Sequence, residues 1–473
     1  MIKRILGSLL IIMSIFTSVA HANSGPTYWE GYPSLEILAI QESSPIVVDK
    51  EKLTFDFTSD KLKEYNDYSK AGSVTAAYQM SNPTNEKTKV QMAFPIISKA
   101  SDFYSKDVEI KVNGENLPFK IYIGDNVNDI IKEGEQERFD FDKIVSSISN
   151  SDYIPRNYNL SDKGKLYKFN VQNPNDVGIL FQLDFEFHNE KTKIISNGFN
   201  SYQTNQDTNK VQIGSYIHNI EDLELLVIGQ DIDFNITAYI DQNETTDNYS
   251  YNLESESIKV RDYLIDYFDE YIKTTNYKDL PYQQLLNLYL RNIDDIYNRQ
   301  LGYIWADEFF SFDYFDLVFV LIYEVEFIPH ETNDVSISYI TKGTMDRKNT
   351  VDPLYTFEYI LNPAEKWADF KDLNIEIIPS VENPYIIESS LELERNKEGL
   401  YIGRFESLPE NDLTFTLYSK EKVTFMDKVE KFFYNSSYLL FPLLKWLIIA
   451  IMSYIIVKLI SKLFSRNKDK NSN

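Results

Sequence analysis

The chain has 473 residues, 43% of them hydrophobic and 14% aromatic, with 72 acidic against 47 basic side chains and a net charge of −25. That negative excess repels phosphate backbones, so nucleic acid is excluded as the expected partner. No cysteine is present, which excludes disulfides, thiol catalysis and cysteine-ligated metals and leaves stability to the core.

At the start, Lys3 and Arg4 precede an apolar stretch from Ile5 to Phe16, and Ala20-His21-Ala22 follows. A basic head, a short apolar core and a small-residue exit predict a signal peptide over 1–22, cut before Asn23. That leader carries +2 and residues 436–473 carry +5, so the chain total of −25 leaves −32 on residues 23–435. Charge of that size suits a solvated exterior and is compatible with cations or basic surfaces. Tyr28, Trp29 and Tyr32 then form an aromatic entry, read as a lid over one end of a β structure, since large aromatics mostly supply buried area.

From there the apolar period is two. Leu53-Thr54-Phe55-Asp56-Phe57 alternates, as do Val74, Ala76, Tyr78 and Met80, and Val90, Met92 and Phe94. Val108, Ile110 and Val112 run into Asn113-Gly114, a hairpin signal. Ile179 to Phe187 is the clearest strand, with Gln182, Asp184 and Glu186 on the outer face. Residues 23–250 are thus expected as a first antiparallel β-sandwich-like module. Around Tyr263 the spacing becomes three and four residues, through Leu264, Phe268 and Tyr271, then Leu286, Leu290, Ile293 and Tyr297. This predicts a helical connector over 255–300. Alternation resumes at Leu317 and continues to about residue 419, giving a second β module over 310–420.

The apolar run from Tyr438 to Val457 has one charge, Lys445, and is long enough for a membrane-spanning helix over 436–460. The basic residues beyond it predict a cytoplasmic tail over 461–473 and a single-pass protein of the cell membrane with its bulk outside. Lys445 is then the candidate intramembrane contact, snorkelling to the outer headgroups or pairing with another span. The expected fold class is mostly β: two antiparallel modules, a helical connector and one C-terminal transmembrane helix.

Catalytic signatures are missing from the sequence. His330-Glu331-Thr332-Asn333-Asp334 lacks the second histidine of a zinc helix, and no nucleophile elbow or phosphate loop occurs. Asp307, Glu308, Asp313 and Asp316 share one aromatic segment, and two carboxyls at the right separation suffice for a glycosidase. Asp125-Asn126-Val127-Asn128-Asp129 places oxygen ligands at alternate positions but lacks the glycine and the distal glutamate of a calcium loop. No catalytic, cofactor-binding or metal residue is therefore assigned.

Two stretches carry a resemblance. Tyr78, Asn82-Pro83 and Phe94-Pro95 resemble the strand–turn–strand of exported bacterial domains of unknown function, broadly of the vault/inter-alpha-trypsin type. Tyr359-Ile360-Leu361-Asn362-Pro363-Ala364-Glu365-Lys366-Trp367 is similar to a tyrosine–leucine–tryptophan signature in the same kind of protein. The resemblance implies a β-sandwich fold and export, and no activity. The expected function is a membrane-anchored extracellular β-rich protein that binds a ligand, a cell-wall component or a partner protein. The alternatives are a surface hydrolase using the carboxylates of 305–316, and a membrane-complex subunit held through Lys445.

Overall fold

The computed structural model describes residues 26–432, apart from 41–43, 66–67, 133–137, 149–150, 206–208, 242–243, 276 and 278, together with Tyr434 and Lys458. Strands dominate it. An eight-stranded sheet has Val47–Asp56, Ala71–Ser81 and Thr332–Lys342 at its centre, with Asp369–Ile378 added in parallel to Val47–Asp56. A four-stranded sheet pairs Thr88–Ser98 with Leu317–Phe327, and Lys120–Asn126 flanks the latter. A six-stranded sheet is built around Leu354–Ile360 and Leu413–Tyr418. These three sheets share one apolar core.

Leu317–Phe327 explains why that body holds together. Phe319, Leu321 and Tyr323 face the main core, while Val318, Val320 and Ile322 face a second cluster with Leu35, Tyr122 and Ile144. Covered on both faces, the strand reads as a nearly continuous apolar run rather than an alternation.

Residues 163–259, completed by the strand Tyr303–Trp305 added in parallel to Thr192–Asn197, form a separate sandwich inserted into this body. One five-stranded sheet centres on Lys163–Gln172 and Ile220–Gly229, the other on Ile179–Glu186 and Lys210–Ile217. Their facing side chains, among them Phe169, Phe181, Leu183 and Leu225, make an almost wholly apolar interior. Helices Val260–Thr274 and Tyr282–Arg299 follow. Their apolar stripes pack into the main core together with Leu166, Ile195, Leu226 and Ile228 from the back of the inserted sandwich. The helices act as a wedge between the two bodies.

The expected fold class needs correction. Strands from before the helical segment pair with strands from after it: Ala71–Ser81 lies beside Thr332–Lys342, and Thr88–Ser98 beside Leu317–Phe327. The sheets therefore do not sort into an N-terminal and a C-terminal set. Among the described residues no helix is long and apolar enough to cross a membrane. The reasons are length and charge: Val260–Thr274 has only 15 residues and carries Arg261, Asp262, Asp266, Asp269, Glu270 and Lys273, and Tyr282–Arg299 carries Arg291, Asp294, Asp295 and Arg299. Such helices suit a protein interface and not a bilayer. The transmembrane helix, single-pass anchoring and cell-membrane placement are accordingly withdrawn. The expected span, with Lys445, and the expected signal peptide lie outside the described residues, save Lys458.

The two bodies share a corner. Ala71–Ser81 ends at Asn82-Pro83, and Lys163–Gln172 ends at Asn173-Pro174. Asn82 Nδ2 donates to the carbonyls of Glu86 and Phe327 at 2.8 and 3.2 Å, and its Oδ1 accepts from Thr84. Asn173 Nδ2 likewise donates to Val177 and Ile217 carbonyls, both at 2.9 Å, and its Oδ1 accepts from Asn175. Backbone N–H groups match too: Asn82 donates to Glu331, and Asn173 to Asn219. An asparagine with all its side-chain capacity used locks the turn between paired strands.

Candidate functional site

The residues singled out in the sequence are scattered by the fold. Asp313 accepts from the hydroxyls of Tyr271 and Tyr277. Asp316 Oδ2 accepts from Tyr32 at 3.0 Å. Glu308 accepts from Gln300 at 2.8 and 3.0 Å and closes the turn that begins at Trp305. These acids hold separate parts of the scaffold. Asp125 forms an ion pair with Arg291, and Asn126 turns back on the Asn128 N–H at 3.1 Å, so the loop serves the fold locally.

His188, His218 and His330 are all exposed. His188 meets Asn209 at 3.3 Å and His330 meets Asn85 at 2.9 Å. No group of three metal-type ligands exists among the described residues. The aromatic entry is an added strand: Tyr28 and Trp29 pair with Asp346 and Met345, and the Lys348 ammonium sits 3.7 Å over the Tyr28 ring.

What the sequence did not reveal is a carboxyl pair inside the main body. Glu36 and Glu51 are both 0% exposed. Glu36 lies on a strap whose neighbours are anchored on either side: Ser34–Leu35 pairs in parallel with Tyr359–Ile360, and Leu38–Ala39 pairs with Ala93 and Met92. Glu51 projects inward from Val47–Asp56. Glu36 Oε1 accepts from the Ile37 N–H at 2.9 Å and from the Tyr78 hydroxyl, and Oε2 accepts from Tyr359 at 3.1 Å. The Tyr78 and Tyr359 hydroxyls are 3.4 Å apart. Thus the two stretches that carry the family resemblance meet at this carboxylate.

Burial raises the Glu36 pKa from 4.5 to about 7, against the hydrogen bonds from Tyr78, Ile37 and Tyr359 that hold it down. Burial, then the charge of Glu36, pushes Glu51 well above the carboxylate range. Neither Glu51 oxygen completes a hydrogen bond among the described residues. Glu36 has three donors, so Glu36 is the first of the two to ionise as pH rises and Glu51 keeps its proton, as neighbouring carboxyls that cannot both ionise must. The surrounding tyrosines 78, 323, 339 and 359 are all raised above their usual value by burial and stay neutral. The pair is sealed from solvent and reaches no substrate.

The inserted sandwich, by contrast, is open at its corner. A cleft of about 440 Å³ is lined by Gln172, Asn173, Pro174, Asn219, Ile220, Asn248, Tyr249 and Ser250. None of these is charged. Asn175 Nδ2 donates to the Asn248 carbonyl at 2.9 Å, fixing one wall. Tyr249 stacks on Tyr251 with an interplanar angle of 18° and meets buried Phe181 edge-on at 5.9 Å. Ile220 and Val177 beside it are 60% and 54% exposed. The sequence signal for this site was weak, since an Asn-Pro dipeptide marks any turn.

No family model and no curated protein matches the chain. A solved protein from Legionella pneumophila, described as a candidate nutrient-binding protein, is similar over 83% of this chain and 73% of its own, at 10% identity and a TM-score of 0.33. A likeness at that level carries no argument about this chain. The resemblance to exported β-sandwich proteins accordingly stands only as a mostly β fold, with no family confirmed.

Proposed function

We propose that this chain is a binding protein that engages a ligand, a cell-wall component or a partner protein through the open corner of its inserted sandwich. One observation carries the reading: the corner cleft offers the unpartnered Asn219 amide, the open Gln172 carbonyl oxygen and a braced aromatic ring to solvent. Sites that bind small ligands combine such concave surfaces with a few convergent polar groups. The hydrolase alternative lacks comparable support. Its acids are held by Tyr32, Tyr271, Tyr277 and Gln300 in separate places, and the buried pair is closed to substrate.

The test is a thermal-shift screen of the full chain against neutral oligosaccharides, anionic wall polymers and extended peptides. A ligand that binds only the folded state raises the midpoint in proportion to the logarithm of its concentration. At least one class is expected to do so. If none shifts the midpoint at any concentration, the binding reading fails.

A further inference from the structure

We infer that the occupant of the Asn173-Pro174 cleft is a neutral, hydroxyl-rich ligand of the glycan class, an inference that rests on the binding reading above. Charge is the first argument. A quarter of the chain's residues are charged, yet all eight residues lining the cleft are neutral. A charged ligand entering it would give up hydration with no opposite charge to meet it.

Hydrogen-bonding capacity is the second. Asn219 is exposed and its side-chain amide has no partner among the described residues. Gln172 Nε2 donates to Asn170 at 3.2 Å, which leaves its carbonyl oxygen open. A side-chain amide presents donors and an acceptor side by side, the pattern that adjacent hydroxyls complement.

The third argument is the ring. Tyr249 lies beside Tyr251, near-parallel at 6.2 Å, and both rings rest on buried Phe181 at 5.9 Å, which fixes Tyr249 from one side. A platform already immobilised loses little freedom when the apolar face of a sugar ring lies against it. Exposed Ile220 extends that apolar edge. The volume of about 440 Å³ lies within the range of about 300–1,000 Å³ seen for small-ligand sites.

The main-body corner supplies the control. There the polar side chains close on one another: Asn85 with His330 at 2.9 Å, Asn113 with Asn333 at 3.0 Å, and Asn113 with the Asp334 N–H at 2.9 Å. An Asn-Pro corner does not by itself leave amides free. At the inserted corner Asn248 likewise closes on Asn175, and Asn175 on Asn173, but Asn219 and the Gln172 carbonyl oxygen face the cleft without a partner among the described residues.

The experiment is calorimetric titration of the full chain with cellohexaose, maltohexaose and the hexamer of N-acetylglucosamine, with polygalacturonate as the anionic control. Tyr249→Ala is expected to weaken binding about tenfold or more, a loss of one packed aromatic contact. Tyr249→Phe should retain it, because stacking needs the ring and not the hydroxyl. Asn219→Ala, at an exposed position whose backbone carbonyl still accepts from Asn173, should weaken binding severalfold without moving the thermal midpoint. Neutral hexamers that bind equally well to all three variants would overturn this cleft while leaving the binding reading intact. Binding of polygalacturonate alone, with its loss in Asn219→Ala, would overturn the ligand class while keeping the cleft. Absence of binding by any sugar, with a peptide or other polymer bound instead, would overturn the glycan inference and spare the broader reading.

Discussion

Four residues before its corner asparagine the main body has Tyr78, and the inserted sandwich has Phe169 at the same place. The registers agree: Tyr78 lies opposite Val335 and Phe169 opposite Leu223, each four residues past the carbonyl that receives the corner N–H. Phe169 needs only apolar company, and finds it in Phe181, Phe199 and Phe234. Tyr78 carries one more oxygen. Buried, that hydroxyl requires an acceptor, and Glu36 provides it from a strap 42 residues earlier in the chain. One oxygen thus separates an interior filled by rings from one organised around a buried carboxyl group. The polar interior costs more to bury, but its hydrogen bonds tie Ala71–Ser81 and Leu354–Ile360 to the strap. The apolar interior leaves its polar groups at the rim, where a ligand can reach them.

Equivalence of the corners can be broken directly. Asn82→Ala and Asn173→Ala each delete a buried side chain that satisfies several backbone groups. Each should lower stability by about 3 kcal/mol, the scale of a lost buried network, measured by urea unfolding. If one substitution were silent, the two corners would not be doing the same job.

The interiors can be exchanged next. Phe169→Tyr places a hydroxyl among Phe181, Phe199 and Phe234 with no acceptor and should cost about 1–3 kcal/mol. Tyr78→Phe removes a donor from Glu36 and should cost a similar amount. A neutral Phe169→Tyr would mean that the inserted interior admits water, and the contrast drawn above would collapse.

Much of this architecture was legible in the chain and some was not, for identifiable reasons. The alternation at Ile179–Glu186 appears as a strand with Ile179, Phe181, Leu183 and Phe185 buried. The three- and four-residue spacings at Leu264 and Leu286 appear as the helices. Asn113-Gly114 turns with φ of 52° and 83°, as a hairpin of that sequence requires. Pairing across the helices was not legible, because alternation says which face is buried and not which strand lies alongside. For the same reason Glu36 and Glu51 looked like any two of the 72 acids. Tyr359 lies 323 residues from the Glu36 it binds. The acids of 305–316 misled in the opposite direction, since clustering in sequence became separate tyrosine and glutamine partners in space.

Proton linkage gives a subtler test. Glu36 titrates at 4.5 when unfolded and at about 7 in the fold, so between those values the folded chain holds a proton that the unfolded chain has released. Stability from this pair is complete below about 4.5 and is lost as pH rises toward about 7, and Glu51, raised further, extends the loss upward. The groups facing the pair, Tyr78, Tyr323, Tyr339 and Tyr359, remain neutral throughout. The thermal midpoint should therefore fall across that window, and Glu51→Gln, which keeps shape without a titrating proton, should flatten the fall. Hydrogen exchange should place the change at the strap and in Val47–Asp56, leaving the inserted sandwich unaffected. A fall as steep in Glu51→Gln as in the parent chain would assign the dependence to other groups.

The smallest expected effect concerns the surfaces, where the two bodies should stop differing. Lys89 reaches Glu324 at 2.9 Å and Lys168 reaches Glu256 at 2.7 Å. Both pairs are diagonal, because the residues directly opposite are Glu326 and Glu254. All four side chains are about half exposed or more, so water and salt screen each attraction, and ordering two long side chains offsets what remains. Lys89→Ala and Lys168→Ala should each move the urea midpoint barely above error at low salt and not at all at high salt. Equal silence at both sites would locate the whole difference between the bodies in their interiors. A salt-insensitive loss at only one of them would mean that its lysine stem covers apolar surface, and that the exterior also distinguishes the two.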